Sequence, residues 1–223
     1  HRAGSNATTG DNNVGIGRYA MGVGVLTGTE NTAIGYGAGQ DLTTGSRNNF
    51  MGFQAGYNIT TGTGNIISGY QAGEFATTAN YGIAIGYSAI GLGVMTGSDN
   101  TAIGRSAGQD LTSGTYNNFM GYNAGGNATT PDYSIAIGYS AMGTGVVTGT
   151  DNIAIGRLAG QDLTSGTYNN FMGYNAGVNA TTGDNNIAIG REAIGLGVLT
   201  GDQNIAIGRL AGYDLTSGAY SNL

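Results

Sequence analysis

A glycine recurs along this chain at a nearly fixed interval, closing a phrase that reads Ala-Ile-Gly or a near variant. It stands at Gly17, Gly35, Gly52, Gly69, Gly86, Gly104, Gly121, Gly138, Gly156, Gly173, Gly190 and Gly208, so every step is 17 or 18 residues. Three residues after each of these glycines comes an alanine, from Ala20 to Ala211. Local composition does not keep phase over that many steps. The spacing is a structural register, and it restricts the fold to short units that stack on their own copies.

A longer period lies over the short one. A unit ending GLGVMTG or GTGVVTG is followed by one carrying AGQDLTSG and then by one carrying NNFMGYNAG, 52 residues in all. One extra unit around Gly69 interrupts this order. In the phrase Asn152-Ile-Ala-Ile-Gly156, Ile153 and Ile155 face one way and Ala154 and Gly156 the other, as in a β-strand. Such a strand is too short to stand alone and gains stability by stacking on equivalents above and below. The Thr-Thr-Gly or Thr-Ser-Gly of each unit supplies a turn, with Gly taking positive φ. No 3.6-residue period persists, which disfavours helix. The reading is therefore an all-β, parallel β-solenoid (β-roll or β-helix) of about 12 coils, a single continuous repeat domain over 1–223 that starts and ends in mid-coil.

Composition narrows function mainly by exclusion. Gly occurs 45 times in 223 residues, yet Pro occurs once, which removes collagen. Lys and Cys are absent and the only histidine is His1, so no Ser-His-Asp or Cys-His set assembles and no thiolate site or cofactor is implied. No unit exceeds 18 residues, leaving no inserted loop to wall a cleft, so the chain does not read as an enzyme. The Gly pattern in GIGRYA, 15–20, lies inside the repeat with no helix after it. A formal charge of −6 disfavours duplex nucleic acid, and no apolar run approaches the ~18 residues of a membrane span. The chain opens on His1 without a leader, which reads as a window of a longer fibre or a processed chain.

The phrases NTAIGYGAG, NIAIGRLAG and NNFMGYNAG resemble the left-handed β-roll head repeats of trimeric autotransporter adhesins. They resemble still more the Gly/Asn/Thr-rich repeat shafts of phage tail fibres. The resemblance implies an extracellular, cell-surface or virion-exposed fibre, commonly a homotrimer, that attaches to a cell-surface glycan or host receptor. The coils here are longer than the usual adhesin-head repeat.

Aligned coils turn positions into columns. The residue after the closing Gly reads Arg18, Tyr36, Phe53, Tyr70, Tyr87, Arg105, Tyr122, Tyr139, Arg157, Tyr174, Arg191 and Arg209. These form either a stacked ladder or a strip that contacts glycans or a neighbouring fibre. Phe50, Phe119 and Phe171 take the slot that holds Ala in the other coil types. They either project outward to interdigitate with another chain or fill the coil's own core. Acids recur as Asp41, Asp110, Asp162 and Asp214, and as Asp99, Asp151 and Asp202. A three-coil spacing of ~14 Å exceeds the Debye length, so the superperiod avoids a charge ladder. Calcium is the alternative role for them, without the usual calcium β-roll signature. Asn6, Asn58, Asn127 and Asn179 each open an Asn-x-Thr sequon, read as turn chemistry or, in a eukaryotic secreted fibre, as glycan sites.

Three functions compete. The first is the shaft of an attachment fibre, displaying a periodic adhesive surface. The second is a filament subunit stacking end to end: HRAGSNATTGDNN matches the second half of the third coil type, and SGAYSNL matches its beginning. The third is an ice-binding solenoid, which calls for a Thr-x-Thr array; the pairs Thr43-Thr44, Thr60-Thr61 and Thr181-Thr182 are adjacent and fall in turns.

Overall fold

The computed structural model describes residues 9–22 and 25–223, which form two compact units that divide between Thr115 and Tyr116. In the first unit, β1 (Val14–Ile16), β2 (Thr32–Ile34), β3 (Asn49–Met51), β4 (Ile66–Ser68), β5 (Ile83–Ile85) and β6 (Thr101–Ile103) pair in chain order, all parallel. In the second, β7 (Asn118–Met120), β8 (Ile135–Ile137), β9 (Ile153–Ile155), β10 (Asn170–Met172), β11 (Ile187–Ile189) and β12 (Ile205–Ile207) do the same. Each coil contributes one three-residue strand, and the described residues contain no helix. Equivalent positions face each other across the ladder, Ala33 opposite Phe50 and Ala154 opposite Phe171. Each unit is a parallel β-solenoid, as the glycine register predicts.

The middle residue of the strand points inward and its two neighbours outward. Ala154 and Phe171 are completely buried, whereas Ile207 is 61% exposed. The narrow interior mostly takes its bulk from one side of a coil, although the coil of Phe50 buries Ile59 as well. In coils with a strand Ala, a buried Leu further along the coil, in what becomes its far wall, supplies bulk, as Leu111 after Ala102 and Leu163 after Ala154. In two of the Phe coils that wall carries Ala128 and Ala180 instead. The Phe171 ring lies against Gly160 and Gly177: a Cβ added there would meet ring atoms at 2.8 and 2.6 Å.

Two corners bound each strand, and both use left-handed backbone at ordinary residues. The residue five before the closing Gly, such as Arg47, Tyr116 or Gln203, has φ of 58–60°. The residue two after it, such as Gln54, Ser106 or Leu158, has φ of 53–60°. This corrects the expectation for the Thr-Thr-Gly turn: Gly45, Gly62, Gly166 and Gly183 do not have positive φ. They are glycines because coils touch there; a Cβ on Gly166 would lie 2.5 Å from the Gly183 carbonyl oxygen.

A buried asparagine column locks successive coils together. Asn48 donates from Nδ2 to Asn31 Oδ1 (3.1 Å) and to the Gly62 carbonyl (2.7 Å). Its own Oδ1 accepts from the Asn65 backbone N–H (2.9 Å) and Nδ2 (3.0 Å). The same pattern joins Asn152, Asn169 and Asn186 in the second unit. Asn is thus buried without an orphaned polar atom. Gly82 and Ser134 interrupt the column, yet each still donates its backbone N–H to the preceding Asn (2.8 and 2.9 Å).

Candidate functional site

The surfaces follow from the coil, because each outward position becomes a column. The first is the outer strand face. It presents Val14 and Ile16, then Thr32 and Ile34, Asn49 and Met51, Ile66 and Ser68, Ile83 and Ile85, and Thr101 and Ile103 in the first unit. The second unit repeats this with Ile, Met and the Asn of each Asn-Phe-Met strand. Val14, Met51 and Ile66 are 47–48% exposed. Three residues by six strands is about 300 Å² of flat sheet per unit, a patch of Ile, Val and Met broken by Thr, Asn and Ser and of the size that often marks an interaction surface.

The column after the closing Gly is a ladder. Tyr36, Phe53, Tyr70 and Tyr87 stack with centroids 5.2, 5.0 and 5.1 Å apart and planes within 10°. The Arg105 guanidinium carries the stack on, 5.6 Å from the Tyr87 ring. Arg18, at the other end, leaves the column to lie 4.7 Å over Tyr19 and donate to its hydroxyl (2.9 Å). In the second unit Tyr122 stacks on Tyr139 at 5.0 Å. Arg157 sits between Tyr139 (5.8 Å) and Tyr174 (5.5 Å), and Arg191 lies 5.6 Å beyond Tyr174. Arg209 is exposed. The ring faces are occupied by each other and by guanidinium planes, so the ladder presents edges and hydroxyls to solvent. Each contact is worth about 0.5–1 kcal/mol. A second stack, Tyr116 on Tyr133 at 5.0 Å, stands at the left-handed corner before the strand.

Phe50, Phe119 and Phe171 lie inside the coil, at most 1% exposed, and are not available to another chain. Asp41, Asp110 and Asp162 are half-buried, and desolvation pushes their carboxyls above the ordinary range, as it does for Glu74. Asp214 is exposed. The other acidic series needs correction. Asp99 and Asp151 occupy the left-handed corner, but Gln203 holds that place in its coil and Asp202 stands one residue earlier. There Asp202 follows Asp184 in the next coil, so two carboxylates do stack. Each is compensated by donors: Thr167 N–H and Oγ1 to Asp184 (2.7 and 3.1 Å), and Asp184 N–H to Asp202 (2.8 Å). Among the described residues no three acidic or histidine side chains converge to hold a metal ion.

The sequons behave as coil contacts. Asn127 Nδ2 donates to the Thr144 carbonyl (2.9 Å) and Asn179 Nδ2 to the Leu196 carbonyl (3.0 Å). Asn58 is half-buried, and Asn6 lies outside the described residues. The adjacent threonines divide their work. Thr43, Thr60 and Thr181 donate to carbonyls of the next coil (3.0–3.5 Å), while Thr44, Thr61 and Thr182 are exposed. Every coil has an exposed Thr or Ser at this last position, from Thr27 to Ser217.

Two features escaped the sequence reading. The Asn column had a visible signal, an Asn four residues before ten of the twelve closing glycines. The left-handed corners had none, since Arg, Tyr, Gln, Ser and Leu all occupy them. The fold defines a class, the parallel β-solenoid repeat proteins. Beyond that class, no family model, no curated protein and no solved structure matches the chain.

Proposed function

We propose that the chain is a structural shaft of an extracellular or virion-borne fibre, in which copies cover one another's outer strand faces and display the remaining columns to the surroundings. The observation that carries this is the apolar strand face. Parallel sheets are normally covered on both sides, and here the interior covers only one. A second copy has the same coil rise, so its Ile and Met columns stay in step over many coils, which an unrelated surface does not. A homotrimer is the assembly that the adhesin resemblance favours. The shaft extends by repetition, resists bending through its backbone ladder and offers a regular contact surface to a glycan or host receptor.

Sedimentation equilibrium tests the reading. The chain is expected at an integral multiple of its own mass, and Ile153→Glu with Ile155→Glu, both on the outer face of β9, to shift it toward the single chain while it stays folded. A single-chain mass at all concentrations would falsify the packing.

A second reading rests on the exposed Thr/Ser column. Thr44, Thr61, Thr78, Thr96 and Ser113 repeat at strand spacing, and among the described residues their hydroxyls bond nothing in the protein. A rigid row of hydroxyl and methyl groups is the kind of surface that orders ice. Retention of the chain in a slowly growing ice front favours this function; complete exclusion removes it.

A further inference from the structure

The chain has no cysteine, so no disulfide can fasten one coil to the next, but it has 14 tyrosines and many fall into columns. Three pairs stack face to face on successive coils. Tyr70 and Tyr87 are 5.1 Å apart with planes 5° from parallel. Tyr122 and Tyr139 are 5.0 Å apart at 12°, and Tyr116 and Tyr133 5.0 Å apart at 6°. All six are exposed, between 45% and 58%. We propose that these three pairs are oxidative cross-linking sites, at which a peroxidase-type oxidant with peroxide joins neighbouring coils through dityrosine.

Each phenol gives up one electron and its hydroxyl proton. The two phenoxyl radicals form a carbon–carbon bond between positions ortho to oxygen, and each ring moves the displaced ortho hydrogen to its oxygen and regains aromaticity. Peroxide takes up the two electrons and two protons and leaves as two waters. Stacking holds the partners at an effective concentration of about millimolar or higher, which favours coupling within a pair over coupling between dilute chains. Exposed side chains are free to turn from stacked to edge-joined about their own torsions.

The neighbours limit the map. Phe53 lies between Tyr36 and Tyr70 and carries no phenol, and Arg157 lies between Tyr139 and Tyr174. Tyr19 meets Tyr36 edge-on at 87°, with its hydroxyl held by Arg18. Tyr81, Tyr168 and Tyr220 are as exposed or more so, 64%, 57% and 77%, without a stacked ring among the described residues. They serve as internal controls.

The test treats the full chain, dilute, with a haem peroxidase and peroxide, then maps linked peptides by mass spectrometry. Links are expected at 70–87, 122–139 and 116–133, each with the loss of two hydrogens, in a product that runs as a single chain and melts at higher temperature than untreated protein. Tyr87→Phe keeps the stack and is expected to lose only the 70–87 link. Links spread over Tyr81, Tyr168 and Tyr220, or dityrosine only between chains, would overturn the assignment. An unchanged melting temperature after linking would remove its fastening role. None of these results depends on whether copies associate through the strand face.

Discussion

At the scale of single residues, two columns hold the coils in place, one of closing glycines and one of buried asparagines. The closing glycines have φ between 125° and 140°, a region that L side chains rarely enter. A Cβ on Gly156 would also lie 2.5 Å from the Gly173 carbonyl oxygen. Gly156→Ala is therefore expected to lose at least about 3 kcal/mol, strain and separated coils combined, in a denaturant melt. Asn169→Ala removes both the donor to the Gly183 carbonyl and the acceptor of the Asn186 N–H. Each buried group left unpaired costs roughly 1–3 kcal/mol, so a loss of about 3 kcal/mol is expected, with Asn169→Asp failing to restore the lost donors. The glycine column was legible in the sequence because its period admits no other explanation. The asparagine column showed its period but not its burial, because Asn ordinarily marks turns and exposed positions. Only the stacking of coils makes its burial favourable, by giving every amide the same partners.

At the scale of the element, the strand inverts ordinary intuition. The alternation in Ile-Ala-Ile was readable, and so were strand position and register. Which face is interior was not: the small residue points in and the two large ones out. The cause is the narrow coil, where opposite walls meet through glycines such as Gly160 and Gly177. Phe119 and Phe171 are matched by Ala128 and Ala180 in the far wall, whereas the Phe50 coil buries Ile59 there as well. That is also why sequence left the direction of Phe171 open. Phe171→Ala is expected to lose about 4 kcal/mol by opening a cavity, measured by chemical denaturation. Ala154→Phe, in a coil whose far wall holds Leu163, is expected to destabilise by overpacking. Equal tolerance of both changes would contradict the division of bulk between the two walls. The same geometry leaves the outward Ile, Val and Met of the strands outside, so the candidate interface is a by-product of how the core is filled.

At the scale of the molecule, the acidic residues set a pH response. Asp41, Asp110 and Asp162 are held above the ordinary carboxyl range by burial. Their folded pKa exceeds the unfolded value of about 3.9, so the folded state binds these protons more tightly. Their contribution to stability is full below the unfolded value and is lost as pH rises through the folded one. Melting temperature is expected to fall as pH rises from below the unfolded value of about 3.9 through the raised folded one, and the fall to shrink in Asp110→Asn with Asp162→Asn; an unchanged slope in that variant contradicts the assignment. The repeat made the coil count legible from sequence, because the count follows from spacing. Assembly was not, since outward columns show their chemistry only once the coil fixes which residues face out. The claim that joins these scales is that coils stack at strand spacing and that copies lie side by side on their outer faces. Cryo-electron microscopy of the purified chain tests it most directly. Particles are expected with a layer repeat of ~4.8 Å and a cross-section of more than one coil, with Ile and Met columns meeting between copies. Particles one coil wide, with those columns facing solvent, would contradict it.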